Sequence, residues 1–378
     1  MQVTTIGIIG CGVISNSYLT GAARSKIITV KGVADMRREA AEARAAEYAC
    51  QAMTVEELLA DPDIEIVINL TIPNAHAEID RRIIAAGKHV YSEKPLVASL
   101  ADAHTVLDAA EAMGLRIGCA PDTFLGASHQ AVRRAIDDGL IGRVIGGSVC
   151  VATRGMEHWH PDPRFFYKLG GGPQLDIGPY YITQLVNLLG PVASVSAMAT
   201  KGFETRTITS EPLNGTVFEV EVPTTINGSL LFRSGANLAI TTSWDVMSTR
   251  RPGIEIYGTE GSLQNPDPNF FGGTPEIAVR GEAWKGLEIE EFAFGKNNRT
   301  TRVGREVADY RIIGLIDMAA AIREKREHRA NGKLALHVLE VLDALERSSK
   351  AGTHIEIGSL CEQPQPVPKG DDERVFLS

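Results

Sequence analysis

The chain has 378 residues, 44% hydrophobic and 22% charged, with 47 acidic against 38 basic side chains and a formal net charge of −9. At roughly 150 residues per domain this length fits two domains, with enough chain to bury cores without metal or disulfide staples. The composition excludes wholesale disorder, the acidic balance argues against nucleic acid and anionic lipid as partners, and no apolar run approaches the ~18–20 residues of a membrane span. Cys11, Cys50, Cys119, Cys150 and Cys361 are scattered without a C-x-x-C pair, and the start at Met1 leads into an apolar strand without a basic leader. The expectation is a cytoplasmic enzyme.

Residues 1–120 alternate strand and helix signals. Ile6–Ile9 reads as an apolar strand ending in Gly10-Cys11-Gly12, with a helix from about Asn16. Thr29–Ala34 is a β-rich run closed by Asp35, and Arg37–Ala49 is rich in the helix formers alanine and glutamate. Thr54-Val55-Glu56-Glu57 has the form of a capping box. The β-branched run Ile64–Ile72 predicts a parallel strand covered on both faces. A helix over Ala75–Ala86 stopped by Gly87, a strand at Val90–Ser92, a helix from Ser99 to Gly114 and a strand at Arg116–Cys119 finish the series. Repeated units of this kind predict an α/β fold with a parallel, doubly wound sheet.

After Pro121 the pattern changes. A helix (Ala127–Asp138) leads to a β segment (Arg143–Thr153), a loop rich in His, Pro and Gly, and one helix from about Pro173 to Leu189. Val217–Val222, Thr225–Phe232, Leu238–Trp244, Ile254–Tyr257 and Leu287–Phe294 read as strands joined by turns, so a large, mostly antiparallel open sheet is expected. Helices at Arg305–Glu327 and Lys333–Ser349 and a proline-rich tail complete the chain. The expected domains are 1–120, an α+β domain at 121–358, and a C-terminal arm at 359–378 lying on its own or a neighbouring subunit.

Gly10-Cys11-Gly12-Val13-Ile14-Ser15 is G-x-G-x-x-S, between a predicted strand and a predicted helix, and Asp35 follows Ser15 by 20 residues at a strand end. That context marks a Rossmann dinucleotide-binding domain. Gly10 and Gly12 let backbone approach a pyrophosphate, and Val13 and Ile14 open the helix whose free N–H groups attract anions. The Asp35 carboxylate would accept from the adenine ribose hydroxyls and repel a 2′-phosphate, which favours NAD over NADP; Arg37 and Arg38 partly offset that repulsion.

With this fingerprint, Thr71-Ile72-Pro73-Asn74-Ala75-His76 after one strand, Glu93-Lys94-Pro95 after the next and Gly170-Gly171-Gly172-Pro173-Gln174-Leu175-Asp176-Ile177-Gly178-Pro179-Tyr180, the chain resembles the glucose–fructose oxidoreductase / inositol dehydrogenase family (Gfo/Idh/MocA). The resemblance implies a Rossmann domain followed by a mixed-sheet domain that contributes to oligomerisation as a homodimer or homotetramer. It implies hydride transfer between nicotinamide and a hydroxyl carbon of a sugar or cyclitol, with carbon 3 of a pyranoside as first choice. Thr71, Pro73, Asn74, Glu93 and Lys94 would border the cofactor, with His76 structural or at its edge, and the Lys94–Pro95 bond would be cis. Where the family usually carries a histidine, four residues after the aspartate, this chain has Tyr180.

The assignment is then Tyr180 as proton acceptor, Lys94 as its electrostatic partner and Asp176 as the acceptor that orients substrate hydroxyls. A phenol ionises near 10 in water, so that role needs a cation. The alternative for Tyr180 is a packed tyrosine with a satisfied hydroxyl. On one continuous helix Asp176, Tyr180, Thr183 and Asn187 would share a side. His158 and His160 form an H-x-H with no third ligand at usable spacing, so no metal is expected. Trp159 and His160 suit sugar recognition instead, an indole face for C–H groups and an imidazole for hydroxyls, and His160 is the reserve proton carrier. Asp122 is a further candidate acceptor for substrate hydroxyls. A keto-sugar reductase, for example of 1,5-anhydrofructose, and a non-catalytic dinucleotide sensor are the competing readings.

Overall fold

The computed structural model describes residues 3–251, 253–301, 304 and 306–370. The chain forms two compact units, the first from 1–127, 290–336 and 364–378, the second from 128–289 and 337–363. They are not the contiguous stretches 1–120 and 121–358 expected from the sequence, because local patterning does not reveal which core a distant helix joins. Here Cys119 N donates to Ala330 O at 3.0 Å, returning the 290–336 segment to the edge of the first sheet. The described part of the arm lies on its own chain: Arg329 donates to Gln365 O at 2.8 Å and Pro366 O at 2.9 Å. Residues 371–378 of the expected arm lie outside the described residues.

In the first unit, β1 (Thr4–Ile9), β2 (Ile28–Ala34), β3 (Gln51–Ala52), β4 (Ile66–Asn69), β5 (His89–Ser92) and β6 (Ile117–Cys119) make a parallel sheet in the order β3-β2-β1-β4-β5-β6. Helices α1 (Ser15–Ala23), α2 (Arg38–Tyr48), α3 (Val55–Ala60), α4 (Pro73–Ala85) and α5 (Leu100–Ala112) connect the strands. All four residues of β4 are buried, as the continuous β-branched run required. The strand is shorter than expected because Asn69 turns the chain: its Oδ1 accepts from Thr71 N at 3.2 Å and Thr71 Oγ1 at 2.6 Å, which ends the ladder. The capping box at Thr54 is formed, with Glu57 N donating to Thr54 Oγ1 at 3.1 Å and Thr54 N to Glu57 Oε2 at 2.8 Å. Strand order reverses between β1 and β4, so the loops after them open at the topological switch point where such sheets bind ligands.

The second unit takes most of α6 (Ala127–Asp137), then β7 (Val144–Ala152), α7 (Pro173–Asp176), α8 (Gly178–Leu189) and β8 (Val192–Thr200). A ribbon of β9 (Thr205–Thr207) and β10 (Val217–Glu219) precedes β11 (Thr225–Phe232), β12 (Asn237–Ser243), β13 (Ile254–Gly258), β14 (Gly261–Asn265), β15 (Glu276–Val279) and β16 (Lys285–Gly286). In the first unit, β17 (Arg299–Thr300) and β18 (Glu306–Val307) pair with each other and α9 (Ile313–Glu324) follows; α10 (Gly332–Ala351) then leads back into the second unit and β19 (Ile355–Glu356). The large sheet runs β16-β15-β14-β13-β7-β12-β11-β8-β19 and is antiparallel except for the β7–β12 pair.

Three expectations fail here. The helix expected over Arg305–Glu327 begins only at Ile313, with Glu306–Val307 paired as β18. Leu287–Phe294 is not a strand: pairing at that edge ends with the bond from Leu287 N to Pro275 O at 2.8 Å. The helix expected over 173–189 is broken at Ile177. Pro179 has no N–H to continue the ladder from α7, so the helix breaks at Ile177 and restarts with Pro179 in the first turn of α8, where no donor is needed. Every residue of α8 is buried, including Thr183, Gln184 and Asn187, so it has no solvated polar side. Gln184 Nε2 donates to Asn265 Oδ1 at 2.8 Å instead. Among the described residues no helix is long and apolar enough to cross a membrane.

Candidate active site

In the first unit the loops at the strand ends carry the dinucleotide features. Gly10 has φ +104°, and a Cβ there would lie 2.6 Å from the Leu70 backbone. At Gly12 a Cβ would meet nothing within 4 Å, so this face of the loop is open to a ligand. Val13 is exposed, and Ile14 at the N-cap of α1 has no side-chain cap; the N–H groups of Ser15, Asn16 and Ser17 meet only the carbonyls of the loop itself, at 3.3, 3.4 and 3.0 Å, so the positive end of the helix faces the loop. Ser15 is fully buried and its hydroxyl donates to Gly12 O at 2.6 Å, so it ties the loop together where the usual motif has a third glycine. Asp35 Oδ2 accepts from Cys11 N at 2.7 Å and Oδ1 from Arg37 N at 2.8 Å. Each oxygen keeps a lone pair, and the side chain is 16% exposed beside the Arg37 guanidinium at 3.9 Å. An open glycine cradle and a prepositioned carboxylate fit the pyrophosphate and adenine ribose of NAD.

The loops after β4 and β5 are locked to one another. His76 is fully buried, with Nδ1 2.8 Å from Pro95 O and Nε2 3.1 Å from Thr71 O. Glu93 Oε1 accepts from Tyr18 Oη at 2.8 Å, and Oε2 from Lys94 N at 2.9 Å. Burial, then the Glu93 charge, holds the Tyr18 phenol well above its ordinary range, so it stays a donor. His76 and Glu93 thus act on the two loops themselves, while Pro73 and Asn74 at the start of α4 are exposed. The Lys94–Pro95 bond is cis. Tyr18 had no signal in the sequence, since its partner lies 75 residues on.

Asp122, expected as an acceptor for substrate hydroxyls, holds main-chain N–H groups of its own unit. It is buried, and its Oδ2 accepts from Ile312 N and Gly314 N, both at 3.0 Å. Ile312 has φ +95°, a strained conformation for a β-branched residue, and Asp122 holds that turn at the start of α9. Burial pushes this carboxyl up to about 7, against the Gly314 N–H and the Arg311 charge. The folded state therefore binds the proton more tightly than the unfolded chain. The resulting stability is complete below about pH 4 and declines as pH rises towards 7. Asp122→Asn keeps an acceptor and removes the charge, so relative to the wild type its stability should improve between pH 5 and 8. Denaturant unfolding at both pH values checks this; parallel changes in the two proteins would count against it.

In the second unit the loop 157–162 stands on a buried ionic centre. Arg206 donates to Glu157 Oε1 at 2.6 Å and also pairs with Asp245, while Tyr167 Oη donates to Glu157 Oε2. Breaking such a pair from one side costs roughly 3–5 kcal/mol, so the base of the loop is firm. Ser210 Oγ donates to His160 O at 2.5 Å, and Thr209 Oγ1 lies 2.9 Å from His158 Nδ1. Trp159 is exposed. His160 Nδ1 accepts from Asp162 N at 3.1 Å, which places the proton of the neutral ring on Nε2 and makes that atom a donor. Asp176 is half-buried at the last position of α7 and Tyr180 is buried in the first turn of α8, so the break separates two residues expected on one helix face. Nothing in the sequence signalled Arg206, which sits 49 residues from Glu157.

Residues 4–120 match the model of the oxidoreductase family with NAD-binding Rossmann fold, and residues 129–264 match the GFO/IDH/MocA C-terminal domain. The 1,5-anhydro-D-fructose reductase of Ensifer adhaerens is 32% identical over 267 residues, 68% of this chain and 74% of that one. The chain belongs to the GFO/IDH/MocA family. Inositol 2-dehydrogenase of Rhizobium meliloti (strain 1021) is 30% identical over 353 residues, 93% of this chain and 98% of that one. Among solved structures, an NAD binding oxidoreductase from Klebsiella pneumoniae shares the fold with a TM-score of 0.80 at 24% identity, covering 94% of this chain and 99% of that one. This GFO/IDH/MocA protein is an oxidoreductase with an NAD-binding Rossmann domain.

Proposed function

We propose that the protein transfers hydride between a ring carbon of a sugar or cyclitol and NAD, with carbon 3 of a pyranoside as the preferred position. The carrying observation is the open cradle at Gly12 with Asp35 already fixed at its rim. NAD when bound supplies the hydride acceptor. Gly10, Gly12, Val13, Ile14, Asp35, Thr71, Pro73 and Asn74 would hold it, and His76 and Glu93 would set the loops that carry Lys94. In the oxidative direction Tyr180 takes the hydroxyl proton, Lys94 stabilises charge on the reacting oxygen, and Asp176 accepts from a neighbouring hydroxyl. This is a tyrosine variant of the family site. Trp159 and His160 meet the sugar's C–H face and a hydroxyl. We place the active form as a homodimer or homotetramer, readable by light scattering; exposed Met198, Leu231, Ile145 and Tyr257 on the large sheet support that.

A second reading, a keto-sugar reductase, is favoured by the Ensifer relative's activity. Reduction of NAD by a panel of pyranosides and cyclitols, set against oxidation of NADH by keto-sugars, decides between the directions. Dinucleotide binding without turnover in either would support a sensor instead. NAD should exceed NADP in kcat/KM, since the Asp35 carboxylate would meet the 2′-phosphate. Asp35→Asn keeps an acceptor for Cys11 N while removing the charge, and should narrow the gap by roughly tenfold or more. Equal kcat/KM for both cofactors in the wild type would refute this role for Asp35.

A further inference from the structure

We propose that the 159–168 segment forms a second carbohydrate subsite, with Phe165 as its stacking platform, so that the substrate is a glycoside of at least two rings. The proposal rests on the sugar-oxidoreductase reading and names its substrate class. Trp159 and Phe165 are 59% and 57% exposed, the most exposed tryptophan and phenylalanine among the described residues. Both stand edge-on to His160, each with ring centroids 5.4 Å from it and interplanar angles of 78° and 76°. The two rings are thus at most about twice that distance apart, and both border one hydrogen-bonding imidazole. A single pyranose covers one such ring; two exposed aromatic rings beside one donor match two linked sugars, whose C–H faces pack on the rings while hydroxyls meet the imidazole.

The exposure is not looseness. Phe165 packs on Phe166 with centroids 4.0 Å apart, Phe166 meets Trp244 at 6.1 Å, and Tyr167 is fully buried on Glu157. The turn is also joined to the helix that carries the proposed orienting acceptor. Gly172 N donates to Phe166 O at 2.7 Å, and Asp176 N donates to Gly172 O at 3.1 Å. A Cβ at Gly171 would lie 2.2 Å from Phe166 O, so the glycines let the turn approach α7 this closely. Arg164 is matched by Asp162, Nε to Oδ1 at 2.7 Å and Nη2 to Oδ2 at 2.6 Å, which suits the surface to a neutral sugar.

The test compares glucose disaccharides with methyl glucopyranosides, by turnover with NAD and by titration calorimetry. Disaccharides should bind more tightly and show the higher kcat/KM. Phe165→Ala should reduce disaccharide binding about five- to tenfold and methyl glucoside binding much less, while Phe165→Tyr keeps the stacking face and restores the preference. Equal binding of both sugar classes, or equal losses in the Ala variant, would overturn the subsite. So would a change of oligomeric state in Phe165→Ala by light scattering without a change in sugar preference, which would make Phe165 a contact between copies. Calorimetric disaccharide preference without turnover would uphold the subsite and count against the catalytic reading alone.

Discussion

Replacing Lys94 by Met is expected to lower kcat about 10²–10³-fold, the usual loss when one group stabilising developing charge is removed. The main chain at this position is held independently of the side chain. Lys94 N donates to Glu93 Oε2, Glu93 Oε1 is occupied by Tyr18, and the Pro95 carbonyl meets buried His76. Methionine would therefore sit on the same backbone with a stem of similar length, and the difference reports the ammonium charge. Lys94→Arg separates charge from shape: guanidinium remains cationic but presents a planar fork in place of a compact ammonium, so it should recover only part of the loss. Steady-state kcat and the NAD dissociation constant, measured on both variants, check the assignment. A Met variant with wild-type kcat would remove Lys94 from the chemistry. A loss confined to NAD affinity would make it a cofactor-binding residue.

Features written in neighbouring residues were legible in the sequence. The Gly10–Ser15 loop, the Thr54–Glu57 capping box and the Ser99 cap, whose Oγ accepts from Asp102 N at 3.1 Å, depend on contacts a few positions apart. Asp35 was recognisable because the βαβ unit fixes both its spacing and its strand-end position. What escaped depends on distant partners. Asp122 looks like an acidic group beside a binding domain, yet its donors are 190 and 192 residues away at the start of α9. Leu287–Phe294 has strand-like composition, but a strand needs an edge to pair with, while Gly261–Asn265 pairs well despite its Gly, Ser, Gln and Asn. The Pro179 break was legible in principle, since a proline within a helical pattern marks an interruption, although apolar periodicity continues on both sides of it.

Tyr180→Phe should lower kcat by roughly 10²–10⁴-fold, the range for a lost general acid–base group, with little change in NAD affinity. Tyr180 is buried in a helix whose every residue is buried, so removing only the hydroxyl preserves the packing. His160 is the competing proton carrier, and its geometry sets the contrast. With Nδ1 accepting from the Asp162 N–H, the neutral ring carries its proton on Nε2 and can donate to a sugar oxygen there. To act as base at Nε2 it would have to move that proton to Nδ1 and face a backbone N–H with another N–H. His160→Gln should therefore cost about tenfold or less, the scale of one neutral hydrogen bond. The pH dependence separates the roles further. A phenolic base makes oxidation rise with pH to a plateau, and Tyr180→Phe should flatten that rise while His160→Gln retains it. If the Gln variant lost more kcat than the Phe variant and also lost the rise, the proton would belong to His160, and the hydrogen bond from Asp162 would have to break during turnover.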